Sequence, residues 1–120
     1  MTLDDYNTFC AALAHATPVV QWGGAHVWKI AGKVFAIGGW QDDGGDPYVT
    51  FKCSRMSFDL LKQLPGCRPA PYLASRGLLW IQCMGHESLS EADLKAYLRE
   101  SHRLVALGLT KRLRRDLGLE

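Results

Sequence analysis

Residues 21–40, QWGGAHVWKIAGKVFAIGGW, restrict what this chain can fold into more than any other stretch. His26 to Ile30 and Lys33 to Trp40 carry Val, Trp, Ile and Phe at strand density. Ala31-Gly32 between them can supply the positive φ of a tight turn, so the stretch predicts a β-hairpin. Its register stays open. A three-residue loop with Gly32 left-handed would set Lys29 and Lys33 facing each other on one side, whereas a two-residue Ala31-Gly32 loop would put them on opposite faces.

The remaining elements follow from local pattern. Thr2 with Asp5 resembles a capping box, and Tyr6, Phe9, Cys10 and Leu13 recur at helical spacing, which predicts a helix over 3–15 that Pro18 closes off. Val19 to Trp22 reads as a strand turning at Gly23-Gly24, and Gln41 to Pro47 (QDDGGDP) reads as a loop. Tyr48 to Cys53 is β-branched and aromatic, hence a strand, and Ser54 can cap a helix that buries Met56, Leu60, Leu61 and Leu64 before Pro65-Gly66 stops it. Cys67 to Arg76 should run extended, and Leu78 to Cys83 should form a buried strand. Ser90 opens the longest helix, with Leu94, Tyr97, Leu98, Ser101, Leu104 and Val105 on one face, Lys95, Arg99 and Arg103 on another, and Gly108 as its stop. Residues 110–118 form a short helical turn or a frayed tail. The order α-β-β-β-β-α-β-α predicts an α+β two-layer sandwich on an antiparallel sheet, a single domain over 1–120 with a basic C-terminal segment at 109–120. Its expected core is Tyr6, Phe9, Leu13, Phe35, Ile37, Leu60, Leu61, Trp80, Leu94, Leu98, Leu104 and Val105.

Composition narrows the chemistry. At 48% hydrophobic and 22% charged the chain is ordinary for a globular protein, with no apolar run of membrane-spanning length. The N-terminus is acidic and polar where a secretory signal would be basic and then apolar, so the expected location is the cytoplasm. Cys10, Cys53, Cys67 and Cys83 form no C-x-x-C pair and are expected as free thiols. Catalytic and nucleotide-binding motifs such as G-x-S-x-G, H-E-x-x-H and the P-loop are missing from the sequence. Asp42, Asp43 and Asp46 lack the spacing of a calcium loop. The residues therefore predict no enzyme, no cofactor and no metal site.

The feature that stands out is the distribution of positive charge. From Lys95 to Arg115 there are seven basic residues against one acid, Glu100. Other cations sit where strand ends and loops are expected: Lys29 and Lys33 flank the hairpin turn, Arg55 opens the second helix, and Arg68 and Arg76 bracket the proline segment. An acidic loop at Asp42 to Asp46 would oppose a phosphate backbone if it lay on the same side.

The segments PGCRPAPYLASRGLLWIQC and SLSEADLKAYLRESHRLVALGLTKRLR resemble the MmcQ/YjbR family of small bacterial proteins. The most specific parts are Pro65-Gly66, Arg68-Pro69-Ala70-Pro71-Tyr72 and Ser101-His102-Arg103-Leu104-Val105. Leu78 departs from the family's aromatic and Thr110 from its frequent proline. The resemblance implies a CyaY-like fold with helices packed on one face of the sheet, and DNA binding through a double wing. Frataxins, similar in fold, hold iron on an acidic first helix, and here that helix offers only Asp4 and Asp5. The expected function is low-specificity binding of double-stranded DNA by a monomer or weak homodimer. Phosphates would be met by Lys29, Lys33, Arg55, Arg68, Arg76, Lys111, Arg112, Arg114 and Arg115. The alternative is a non-enzymatic protein-interaction or small-ligand module that does not bind nucleic acid.

Overall fold

The computed structural model describes residues 1–41, 45–85 and 88–119. Six antiparallel strands form one sheet in the order β1-β2-β3-β4-β6-β5, namely β1 (Ala16–Gln21), β2 (Ala25–Ile30), β3 (Lys33–Gly39), β4 (Tyr48–Lys52), β5 (Cys67–Pro69) and β6 (Trp80–Cys83). Helices α1 (Leu3–Ala11), α2 (Arg55–Leu61), α3 (Glu91–Leu107) and α4 (Lys111–Asp116) add their apolar residues to the core on one face, which makes an α+β two-layer sandwich. Among the described residues no helix is long and apolar enough to cross a membrane.

The hairpin is the shortest possible. Ile30 pairs with Lys33, and Ala31 and Gly32 both take positive φ (49° and 79°), so the two-residue loop is the one that forms and Lys29 and Lys33 lie on opposite faces. One step inward the register slips: Trp28 pairs with Ala36 but Lys29 with Val34, leaving Phe35 as the extra residue of a β-bulge. The slip puts Phe35 and Ala36 together on the helix-covered face, where both are buried, while Val34 and Ile37 face the other way. The ladder between β3 and β4 begins only at Ala36 opposite Phe51. Beyond it the buried Ser101 of α3 closes the gap, accepting from the Lys52 amide (2.9 Å) and donating to the Phe35 carbonyl (2.7 Å).

Docking of α1 depends on the absence of a side chain. Gly38 lies under the Tyr6 ring, and a Cβ there would sit 2.5 Å from Tyr6 Cε2. The Tyr6 hydroxyl donates to the His26 carbonyl (2.8 Å), and His26 is the cross-strand partner of Gly38. Asn7 accepts from Trp28 Nε1 (2.9 Å) and donates to His26 Nδ1 (3.2 Å), so the helix is tied to β2 by polar as well as apolar contacts. The helix stops at Ala11 rather than at 15, because the chain reverses through a left-handed His15 to enter β1 at Ala16. Pro18 then sits inside β1, which is tolerable on an edge strand.

Three further expectations are corrected. The second helix buries Leu61 as expected but not Met56, Leu60 and Leu64: Met56 is 76% and Leu60 62% exposed, and Phe58 faces the core in their place. With Phe58 inward, residues two positions to either side rotate about 200° and point out. Phe9, Leu13 and Leu104 are half-buried rather than core, and Phe9 is covered by the Lys95 and Arg99 head groups 5.9 and 5.3 Å from its ring centroid. Cys67 to Arg76 does not run extended throughout. After the short β5 the chain crosses the helix-free face, where Leu73 packs on Val27 and Ile37, and forms a 3-10 turn at Ala74–Arg76 before entering β6. The four cysteines are free and buried, with the Cys67 and Cys83 sulfurs 3.6 Å apart on paired strands.

Ser101→Ala strands two backbone groups that the ladder does not reach, and should cost about 2–4 kcal/mol. Urea denaturation measures this, and a loss under about 0.5 kcal/mol would mean that the bridge is dispensable. Gly38→Ala should cost about 1–3 kcal/mol by forcing the buried Tyr6 ring off its seat, read as a lower Tm in calorimetry.

Candidate nucleic-acid interface

The strand registers define two ends of the sheet. At one end lie the turn between β1 and β2, the end of β3 and the start of β4. The Met1 amine is 3.4 Å from the Asp46 carboxylate here, which brings in the first turn of α1 with Asp4 and Asp5. The start of α3, carrying Glu91 and Asp93, joins them: Met1, Asp46, Cys83 and Glu91 share one crevice. Asp42 and Asp43 lie outside the described residues.

The opposite end carries the hairpin tip, the start of β1, the end of β4 and the start of β6, since Ala16 pairs with Ile30 and Lys52 with Trp80. Lys33 is at the tip, Arg55 begins α2 three residues after Lys52, and Arg76 ends the 3-10 turn that leads into β6. The basic segment arrives through α4. Thr110 caps it by accepting from the Leu113 amide (3.1 Å), Leu113 and Leu117 pack on the core, and His15 beside Ala16 donates to the Leu117 carbonyl. Lys111, Arg112 and Arg115 are exposed, while Arg114 is half-buried in a groove of about 370 Å3 that it lines with Arg99 and Arg103.

Seven of the nine expected residues thus gather at one end: Lys33, Arg55, Arg76, Lys111, Arg112, Arg114 and Arg115. Lys29 lies at the same end but on the other face of the sheet, and Arg68 does not join them. Lys29 pairs with Val34 on the helix-free face, and Arg68, on the outermost strand, donates to Gln82 Oε1 (2.8 Å) on that same face. Acidic residues at the basic end are mostly engaged. Asp59 meets Arg55 (3.8 Å) and Lys62 (3.1 Å), and Glu100 accepts two hydrogen bonds from Arg103, which hold its carboxyl below the usual range. Asp116 is exposed on α4.

The sequence reading missed Lys52, which alternation in YVTFKC places on the helix-free face with Thr50, and it missed that Trp22, Trp40 and Tyr72 stay exposed there. The available signal was that each tryptophan adjoins a glycine doublet, a turn context in which a large side chain has little to pack against. The thiols are poor nucleophiles at neutral pH: burial pushes Cys10 up to about 12 and Cys53 up to about 11. Among the described residues no three His, Cys, Asp or Glu side chains converge as metal ligands.

The YjbR family model matches residues 11–104. No curated protein matches the chain. The crystal structure of Deinococcus radiodurans protein DR2400, described with a DUF419 domain, is similar in fold over 98% of this chain and 88% of its own, with a TM-score of 0.83 at 22% identity.

Because α4 is six residues long, its cap matters. Thr110→Ala should destabilise it by about 1 kcal/mol and raise amide exchange over 111–116 while leaving the strands protected, an outcome that hydrogen-exchange mass spectrometry resolves.

Proposed function

The chain belongs to the YjbR family, and from the separation of its charges along the strand direction we propose that it binds double-stranded DNA with low sequence specificity through its basic end. The observation that carries this reading is the gathering of Lys33, Arg55, Arg76 and the α4 cations at one end, with Asp4, Asp5, Asp46, Glu91 and Asp93 at the other. A body polarised in this way turns its cationic end toward a polyanion and keeps its carboxylates farthest from the phosphates. The acidic loop, which would oppose binding on the same side, has Asp46 at the far end.

Binding is to the backbone. Helix α4 spans less than two turns and bears four cations, of which Lys111, Arg112 and Arg115 are exposed on long side chains, which suit phosphate contact more than base readout. Lys33 and α4 flank the helix-covered side of this end, since Lys33 pairs with the core residue Ile30 and α4 packs against the same core. Together they form a two-point grip on a phosphate backbone. Lys29, on the other face, takes no part in it.

If Lys33, Arg55, Arg112 and Arg115 each neutralise one phosphate, log affinity should fall with log salt at a slope of about −3.6. Lys33→Ala with Arg112→Ala should reduce that slope by about 2 and weaken all duplex sequences alike, whereas Lys29→Ala should leave it close to the parent's. Anisotropy titrations of labelled duplex at several salt concentrations measure this. A double variant with the parent's slope would remove the basic end from DNA binding.

A further inference from the structure

The helix-free face of the sheet carries a second candidate surface. A groove of about 400 Å3 runs across it, floored by Val34, Ile37 and Trp80 and walled by Trp22, Trp40 and Tyr72. Tyr72 is 85%, Trp22 54% and Trp40 41% exposed, an unusual concentration of aromatic surface left to water. All three also hold positive φ, 52° at Trp22, 65° at Trp40 and 68° at Tyr72. Left-handed backbone is unfavourable for bulky residues and persists where surrounding structure imposes it, often at functional sites. Here all three such residues line one groove. The Trp22 and Trp40 rings lie 6.4 Å apart, and Trp40 Nε1 donates to the Trp22 carbonyl (2.9 Å).

The charge around the groove selects what can fill it. Lys29 is cross-strand from Val34, Lys52 is cross-strand from Trp80, and Arg68 reaches Gln82, so three cations share this face. No strand position on it carries a carboxylate, and residues 70–79, which cross it, contain none. Aromatic side chains and cations on one face of the sheet suit a polyanion whose subunits carry flat rings. Two other occupants fit less well. A proline-rich peptide brings no charge of its own to answer the three cations. A second copy of the chain would bring a like-charged rim against this one.

We propose that this face binds single-stranded DNA, with unpaired bases stacked on Trp22, Trp40 and Tyr72 and phosphates on Lys29, Lys52 and Arg68. The surface lies on the helix-free face, opposite the one used by Lys33 and α4, and does not depend on duplex binding at the basic end. The lining is mostly apolar, and a 2′-hydroxyl would lose much of its hydration on entry, so DNA is favoured over RNA.

Tryptophan fluorescence provides the readout, since Trp22 and Trp40 are exposed whereas Trp28 and Trp80 are buried. A short oligothymidylate should quench the emission, and an abasic oligonucleotide of the same length, which keeps the phosphates, should bind about tenfold more weakly. Trp22→Ala and Tyr72→Ala should each weaken the oligothymidylate about fivefold or more, while Trp22→Phe keeps a stacking face and should retain binding. Lys33→Ala with Arg112→Ala should change it by no more than about twofold at moderate salt, where distant charges are screened. Should the parent fail to bind duplex, the basic-end reading falls and this titration still stands. Equal affinity for the abasic strand, unchanged binding in both alanine variants, or quenching by a proline-rich peptide without any by the oligonucleotide would overturn the proposal. Tighter binding of oligouridylate would overturn the assignment to DNA.

Discussion

The β-bulge at Phe35 and the serine that closes it determine how the two layers meet. Strict alternation along β3 from Lys33 would put Phe35 and Ile37 on the same helix-covered face. The extra residue instead keeps Phe35, the largest side chain of the strand, in the core, where it meets the His102 ring edge-on at 5.1 Å, and turns Ile37 to the helix-free face. The same slip opens the ladder between β3 and β4, and a buried carbonyl and amide left there would be costly. Ser101 answers both with one hydroxyl. The position of α3 along the sheet is therefore set by hydrogen bonds with directional requirements, in addition to the less selective fit of Leu94, Leu98 and Val105.

With α3 so placed, charge follows from chain direction. α1 and α3 both begin at the end that holds Asp46, and both have acidic first turns, which favour the positive pole of a helix dipole. Their carboxylates thereby collect at one end of the sheet. α3 finishes at the other end, and the chain then has only Gly108 to Thr110 in which to turn before α4 begins. The basic segment is delivered to the hairpin tip by that geometry. A net charge of +2 conceals this polarity, because the opposing charges nearly cancel in sum while remaining apart in space.

The two faces of the sheet have different fates for a related reason. Helices cover one face, and among the described residues the crossing after β5 reaches the other, with Leu73 as its anchor on Val27 and Ile37. This crossing and the tryptophans at the two glycine doublets leave a groove between them. Aromatic residues there are held by the backbone in place of burial, which is how Trp22 and Tyr72 can be both exposed and strained.

Local pattern alone determined the hairpin, the caps at Thr2, Ser54 and Ser90, the long third helix and the α+β class, because each rests on residues within a turn or two of one another. The face of α3 that includes Ser101 was legible too, though not why a polar residue stood there. The rest required partners distant in sequence. The two-residue register, the bulge, the inward turn of Phe58 in place of Met56 and Leu60, and the three-residue β5 are decided by which surfaces compete for one core and which backbone groups remain unpaired. For the candidate site the same division holds. The sequence already contained every cation; only the antiparallel registers decided that Lys33 and α4 share an end while Lys29 and Arg68 belong to the open face, since strand pairing converts positions far apart in the chain into neighbours.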